Sequence, residues 1–510
     1  MPSRPIISSM FYLPLSTISK KDVMRLMDEL TVVDITPSPT FGEPPTRTEV
    51  CCFDLSKAGY IGLPRHYGMK KYAHLSALNC TIKGKYDDAN MRNACNVVPR
   101  DSRQKDFMTD IANVCKSNKI VDYVANARTG SGKTVADLIV SSELGVPTLI
   151  IVPTNKLKFQ WLGNIAEKNG IKYFFGEEWF NKYVGTVQQG VCDYKGKLLV
   201  VGLAPSLAKR DYGEEFYNYF GKVTIDEVHT MSAPMTSEIF KKFPAAIRGG
   251  YTATNKEGAL RKICEFHLGK PSVTSEQEVL KPIVYIVDYL HTQRMTAHNE
   301  YQYISGLASD LKRNKLLANI IKSKGFDRDR QIVCLSDRVY QLQHIEHILI
   351  HEHGIPKESI GIHAGALNIV HPDVANKNVP VWDLPPSFLK KVKVKDSELT
   401  RIANECPIIL ASYGTFALGI DVKRLDMGVE LTPRGNVTQA LGRIVRENPG
   451  KHKEVPEWWS INDASLDNPL YQSFSLSHNK QQFDYFMSRF KARNSCFERQ
   501  KATIIRIRSK

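Results

Sequence analysis

The sequence predicts an α/β protein: two doubly wound parallel-sheet lobes in tandem, with a small accessory domain ahead of them. Three observations predict it. Short apolar, β-rich runs alternate with helical intervals, as in parallel sheets whose strands are joined by crossover helices. One run leads into a glycine-rich turn, Ala127-Arg128-Thr129-Gly130-Ser131-Gly132-Lys133-Thr134, and another into an acidic box, Asp226-Glu227-Val228-His229. Far downstream, Gln439-Ala440-Leu441-Gly442-Arg443-Ile444-Val445-Arg446 puts two arginines on one helix face. Such a turn, a distant acidic box and a later double-arginine helix imply two lobes that close on one phosphate-bearing ligand.

Composition sets the outer bounds. A chain of 510 residues has room for about three domains. At 42% hydrophobic and 24% charged it is an ordinary globular chain with ample core. Its 69 Lys+Arg against 53 Asp+Glu give a formal net charge of +16, which favours polyanionic partners and salt-sensitive binding. The ten cysteines form no C-x-x-C pair, and Cys51-Cys52 is a lone doublet, so neither a zinc site nor a disulfide framework is indicated. The apolar patch from Met10 to Leu15 is broken by Pro14 and is too short for a signal peptide core. No run approaches the ~20 residues of a membrane span, so a soluble, intracellular protein without membrane partners is expected.

Residues 1–97 form the expected accessory domain. A Pro-rich stretch runs from Thr36 to Pro45, and Cys51–Leu55 and Tyr60–Arg65 read as short strands. Lys70-Lys71 and Lys83-Gly84-Lys85 lie near Tyr67, Tyr72 and Tyr86. Basic residues interleaved with aromatics suit nucleic acid, through phosphate contact and base stacking. A small α+β cap packed on the first lobe is the alternative.

The first lobe spans 98–275. Ile120–Ala125 is apolar enough for a buried strand. The turn after it lets backbone N–H groups wrap phosphate oxygens, and a helix beginning near Lys133 presents its positive end to the anion. Lys133 would reach the outer phosphates, and Thr134 would offer its hydroxyl to Mg²⁺. Ala127 stands where the usual first glycine of such a loop is expected. Leu149–Thr154 and Leu198–Gly202 are further strands. Lys222–Ile225 delivers Asp226 and Glu227 to a carboxyl strand end, where ligands bind in open α/β sheets. Asp226 suits a Mg²⁺ shell, and Glu227 suits a base that orients the attacking water. Adjacent carboxylates repel in a dry site unless a cation offsets them, so the metal is part of the expectation. Gly250–Asn255 is another strand end, carrying the hydroxyls of Thr252 and Thr254.

A linker near Gly269–Pro282 leads into the second lobe, 283–510. The segment 366–406 is a long connection with Pro380, Pro385-Pro386 and the basic run Lys390–Lys395. It reads as a solvated insertion or as a strand-gripping hairpin. Trp458–Ile461 reads as the last strand, and Phe483, Phe486 and Phe490 follow at helical spacing as core. From Arg489 to Lys510 there are eight Lys/Arg and one Glu, a basic tail that touches the substrate backbone or is merely solvated.

Read together, these segments resemble the motifs of superfamily 2 helicases of the DExH type. Arg103-Gln104 is similar to the adenine-reading Gln motif, and the phosphate loop to motif I. Val152-Pro153-Thr154 through Gln160-Trp161 resembles motif Ia. The acidic box resembles motif II, and Thr252-Ala253-Thr254 motif III, with Asn255 in place of a common Pro. Ile332–Ser336 resembles motif IV, Tyr413-Gly414-Thr415 through Gly419-Ile420-Asp421 motif V, and Gln439–Arg446 the Q-x-x-G-R-x-x-R of motif VI. The likeness covers residues 98–465 in the family's order.

The resemblance implies tandem RecA-like lobes, with ATP and Mg²⁺ as cofactors. Gln104, Arg128, Thr129, Gly130, Ser131, Gly132, Lys133, Thr134, Gly419 and Asp421 would bind ATP, and Thr134 and Asp226 the metal. Lys133, Asp226, Glu227, Arg443 and Arg446 would be catalytic, the arginines stabilising charge on the transferred phosphoryl group with their planar forks. His229, Thr252, Thr254 and Gln439 would couple hydrolysis to movement. Pro153, Thr154, Gln160, Trp161, Ser336, Tyr413, Gly414 and Thr415 would touch nucleic acid. Ala411–Phe416 and Gly442–Arg446 carry a narrower likeness to phage helicases of the UvsW and T5-like kind, with poxviral transcript-release and XPB-type helicases as relatives. That likeness implies a monomeric DNA helicase or translocase on branched or forked duplexes and single strands, in recombination, replication or repair, working in a host bacterium's cytoplasm if phage-encoded. An RNA helicase, a translocase that strips polymerase from duplex DNA without unwinding, and an ATP-gated clamp are the alternatives. Phosphate-reading motifs leave the sugar undecided.

Overall fold

The central strands carry apolar side chains on both faces, and this dictates helices on both sides of each sheet. In the computed structural model, Leu149 and Ile151 enter one core while Ile150 and Val152, on the same strand, enter another. Ile332 and Cys334 likewise face a different core from Val333 and Leu335. The described residues are 4–36, 46–83, 89–92, 94–99, 101–127, 131–163, 170–252, 258–275, 281–290, 300–372, 379–384, 386–417, 425–445, 455–463, 491–498 and 502–508. The chain divides into two units, one of Met1–Thr36 with Pro45–Gln277 and the other of Pro37–Pro44 with Glu278–Lys510.

The first unit holds an eight-stranded sheet in the order Val191–Cys192, Val184–Gln188, Leu199–Leu203, Thr148–Val152, Lys222–Ile225, Ile247–Thr252, Val121–Asn126 and Pro271–Thr274. Every pairing is parallel except that of Val191–Cys192 with Val184–Gln188. Registers gather the carboxyl ends: Thr252 pairs with Asn126, and Ile225 with Gly250. The glycine-rich turn, Thr252 and the acidic box therefore lie together at the carboxyl ends of three neighbouring strands. Part of the expected linker is not a linker, because Pro271–Thr274 pairs with Val121–Asn126 as the outermost strand.

The N-terminal segment shares the core of this unit. A four-stranded sheet of Tyr60–Pro64, Met10–Pro14, Ile6–Ile7 and Leu78–Asn79 packs Phe11, Leu13, Ile61 and Leu63 into one cluster with Ala233 and Ile263. The strand expected at Cys51–Leu55 is instead Thr46–Cys51, a partner of Thr31–Thr36. Arg65 begins the helix Arg65–Lys71 and is fully buried; its guanidinium shares the Asp122 carboxylate with that of Arg248. The tyrosines expected to stack on bases turn inward. Tyr67 meets Phe266 edge-on at 5.6 Å, and Tyr72 stacks on Phe11 at 6.0 Å. Gly84, Lys85 and Tyr86 lie outside the described residues.

The second unit holds a seven-stranded, wholly parallel sheet in the order Ile360–His363, Ile408–Ser412, Gln331–Ser336, Leu425–Glu430, Glu457–Asn462, Ile283–Asp288 and Thr503–Arg508. Two expectations are corrected by its edge. Trp458–Ile461 lies inside the strand Glu457–Asn462, yet it is not the last strand, because Thr503–Arg508 pairs residue for residue with Ile283–Asp288. The basic tail is thus partly a sheet strand, and its Arg493, upstream of that strand, is buried 3.4 Å from Glu430. Within the insertion, Ala366–Val370 and Leu389–Lys393 form an antiparallel pair with Lys390, Lys391 and Lys393 exposed. Phe483, Phe486 and Phe490 lie outside the described residues. Among the described residues no helix is long and apolar enough to cross a membrane.

Candidate active site

The turn after Val121–Asn126 is anchored where Ala127 donates its N–H to the Thr252 carbonyl at 2.9 Å. Gly132 then takes a left-handed conformation (φ +87°) that lets the helix Lys133–Leu144 start at once. A side chain at Gly132 would strike the Gln104 amide nitrogen, so Gln104 lies directly against the turn. Gln104 sits in the first turn of the helix Ser102–Ser117, where its backbone N–H caps onto Asp101 at 2.8 Å. Behind the turn, Asp137 of the Lys133–Leu144 helix accepts from Tyr251 at 3.0 Å and from Thr224 at 3.2 Å, and forms a buried ion pair with Lys222. That latch fixes the helix to the two strands that carry the acidic box and Thr252.

The acidic box meets the turn directly. Lys133 Nζ lies 2.7 Å from Glu227 Oε1, and both side chains are largely shielded from solvent. Glu227 has a left-handed backbone (φ +48°), uncommon for a residue with a side chain, and its N–H donates to Asp226 Oδ1 at 2.9 Å. The other Asp226 oxygen, Oδ2, accepts from Trp161 Nε1 at 2.8 Å. Burial, and then the charge of Glu227, push the Asp226 carboxyl above the ordinary carboxylate range, against the pull of Lys133 and the indole N–H.

These residues fit a magnesium nucleotide. Two neighbouring carboxylates in a shielded site hold their charge at a cost that a divalent cation would relieve. The buried Ser131 hydroxyl has no hydrogen-bond partner among the described residues, and a phosphate oxygen at the turn would accept it. Asp226 with the half-buried Thr134 hydroxyl would hold the cation.

The residues expected to touch nucleic acid divide sharply. Thr154 caps the helix Asn155–Leu162 by accepting from the Leu157 N–H at 3.3 Å; Pro153 is half-buried and Gln160 is exposed. Trp161 is not at the surface: it is 1% exposed, with Ile150, Val152 and Val201 in its core cluster. In the second unit Ser336 is fully buried, accepting from the Arg338 N–H at 2.9 Å and donating to Gln341 at 2.6 Å. Tyr413 is buried as well, its hydroxyl donating to the Thr432 carbonyl at 3.0 Å. The polar atoms of these three buried side chains are used internally and are not presented to a nucleic acid at the surface. Gly414 is exposed beside Thr415, whose hydroxyl donates to the His363 carbonyl at 2.8 Å.

Of the remaining expected site residues, Thr252 is buried at its strand end. Arg443 is buried on the helix Thr438–Ile444, its guanidinium 5.0 Å from the centre of the Phe416 ring. Arg128, Thr129, Gly130, Thr254, Gly419, Asp421 and Arg446 lie outside the described residues, as do the side chains of His229 and Gln439. Sequence reasoning missed the Asp137–Lys222 latch and the bond from Trp161. Each is a long-range pairing with no local spacing to reveal it.

The chain matches the family "Type III restriction enzyme, res subunit" over residues 98–257. A protein of Acanthamoeba polyphaga mimivirus, described as a candidate ATP-dependent RNA helicase, is 24% identical over 467 residues, covering 88% of this chain and 76% of that protein. An African swine fever virus protein with the same description is 25% identical over 345 residues, covering 65% of this chain and 63% of its own length, so the match spans under two thirds of that relative. Among solved structures, T4 UvsW aligns over 96% of both chains at 17% identity and a TM-score of 0.34.

Proposed function

We propose that this chain, whose motif order resembles that of superfamily 2 helicases and whose residues 98–257 match the type III restriction enzyme res family, is an ATP-driven DNA helicase or translocase that unwinds or migrates branched DNA. The observation that carries the ATP-driven part is the convergence of Lys133, Glu227 and Asp226 at the carboxyl end of the sheet. A bound magnesium nucleotide would supply the scissile phosphoanhydride and the charge that stabilises it in transfer. The chain's own residues do the rest. Lys133 binds the terminal phosphates once it leaves Glu227. Glu227, relieved of that ammonium, orients water and takes its proton at a carboxylate oxygen. Asp226 and Thr134 hold the metal, and the Ser131 hydroxyl donates to a phosphate oxygen. Arg443 and Arg446 are the residues to which the resemblance assigns the developing charge.

DNA is the first reading on the narrower likeness to UvsW-like helicases and on the net charge of +16. A second reading, ATP-dependent action on RNA, is favoured by the descriptions of the two viral relatives. One experiment separates them: steady-state ATPase measured with single-stranded DNA, duplex DNA, four-way DNA and RNA of matched length. Stimulation greatest with four-way or forked DNA is the expected result. Stimulation greatest with RNA sinks the DNA reading, and no stimulation by any of the four sinks the helicase reading.

A further inference from the structure

Trp161 belongs to a helix whose two faces meet different surroundings. On the helix Asn155–Leu162, Phe159 is 65% exposed and Gln160 is exposed, while Trp161 is fully buried against the central strands. Packing alone would be served by any large apolar side chain. An indole adds one N–H donor that must find an acceptor when buried. Here the acceptor is Asp226 Oδ2, at 2.8 Å.

That bond is half of the restraint on the Asp226 carboxylate. The Glu227 N–H takes Oδ1 at 2.9 Å, so both oxygens accept a donor and the plane of the group is set from two directions. Each carboxylate oxygen has two acceptor positions, so each keeps one for a further ligand. Without the indole, Oδ2 would lose its restraint and the carboxylate could turn about its Cβ–Cγ bond.

We infer that Trp161 is a positioning residue, which fixes the orientation of the Asp226 carboxylate toward the metal of the nucleotide from within the helix that resembles motif Ia. The inference rests on the reading of Asp226 as a metal ligand given above. It replaces a surface role for this tryptophan with one exerted through its N–H. It also ties the element whose exposed face carries Phe159 and Gln160 to the metal-binding end of Lys222–Ile225.

The test is Trp161→Phe, which keeps an aromatic ring in the core and removes the donor. Three quantities are read: the melting temperature, the half-saturating Mg²⁺ concentration for ATP hydrolysis, and ADP affinity with Mg²⁺ and with EDTA. Loss of an outer-shell hydrogen bond to a metal ligand predicts a half-saturating Mg²⁺ concentration raised by roughly tenfold or more. ADP affinity in EDTA is expected to stay within about twofold of wild type, because the bond acts on the metal's ligand and not on the phosphate turn. A folded variant with wild-type Mg²⁺ dependence overturns the inference, whatever its melting temperature. Should the variant fail to fold, ¹⁵N-tryptophan labelling of the wild type decides. The chain has five tryptophans, and at least one indole N–H signal is expected to shift when Mg²⁺ joins the ADP complex; five unmoved signals overturn the role. Failure of the underlying reading looks different, since a wild type that neither binds nor hydrolyses ATP removes the nucleotide site itself. A Mg²⁺-dependent wild type beside an indifferent variant removes only the part given to Trp161.

Discussion

The pair between Lys133 and Glu227 sets up a competition that a neutral side chain would abolish. An ammonium 2.7 Å from Glu227 Oε1 occupies the carboxylate that the proposed reaction needs as a base. Phosphate and Glu227 must therefore contend for Lys133. Glu227→Gln removes both the base and the competing charge. Turnover is expected to fall by roughly 10²–10⁴-fold, the usual span for losing a general base. ATP should bind at least as tightly as to wild type, because Lys133 is then freed for phosphate. Equilibrium nucleotide binding and single-turnover hydrolysis check the two halves; weakened binding with near-normal turnover would give Glu227 a merely structural place. The places of Lys133, Asp226 and Glu227 were legible in the sequence because residue type and spacing together mark a glycine-rich turn and an acidic strand end. Those of Trp161, Ser336 and Tyr413 were not. An aromatic or hydroxyl residue in a motif reads the same whether it meets a base or a buried acceptor, and only the partners at Asp226, Gln341 and Thr432 decide.

Strands are where the sequence reading was strongest for existence and weakest for neighbours. Leu149–Thr154 and Leu198–Gly202 are legible as strands because buried parallel strands are near-continuous apolar runs. The strand Thr503–Arg508, with sequence Thr-Ile-Ile-Arg-Ile-Arg, was read as a charged tail. Its charges suited polyanion contact, and its pairing with Ile283–Asp288 spans most of the second lobe in sequence. Long-range parallel pairing leaves no turn signal beside either strand. The two readings of this segment separate on truncation. A chain ending at residue 501 loses six paired residues and leaves Ile283–Asp288 as a bare sheet edge, a template for aggregation. Calorimetry is expected to show a melting temperature lower by about 5 °C or more, with concentration-dependent precipitation. A truncated chain that melts like wild type but binds DNA more weakly would restore the tail reading.

Across the first unit as a whole, the motif positions set a border between an accessory domain and a lobe at residue 97, yet one hydrophobic core crosses it, as the cap alternative requires. Phe11, Leu13, Ile61 and Leu63 share a cluster with Ile263, and Arg65 completes a buried group with Asp122 and Arg248. Burial pushes the Asp122 carboxyl up, but the two guanidiniums together hold it well below the usual carboxylate range. The same interior includes His267, fully buried and stacked on Phe240 at 5.0 Å, with neither ring nitrogen hydrogen-bonded among the described residues. Burial, and then the charge of Arg248, drive its pKa well below the ordinary 6.5. A histidine that stays neutral when folded but takes a proton when unfolded gives the unfolded state one extra proton below about pH 6.5. Stability from this group is therefore intact above that pH and falls as pH drops beneath it, by up to about 1.4 kcal/mol per unit. The depressed carboxyl of Asp122 acts in the same direction but only lower, beginning near its ordinary 3.8. Between pH 6.5 and pH 5 the histidine's contribution can thus be isolated. His267→Phe keeps the stack on Phe240 and removes the titrating ring. Urea unfolding of the variant is expected to match or exceed wild-type stability at pH 7. Its decline between pH 6.5 and pH 5 should be shallower than wild type by close to one proton's worth of slope. The half-buried His66, whose pKa burial also lowers, remains in both proteins and leaves that difference untouched. Parallel declines in the two proteins would mean that His267 takes up its proton inside the fold. The interior joining the N-terminal sheet to the lobe would then have to admit water around that ring.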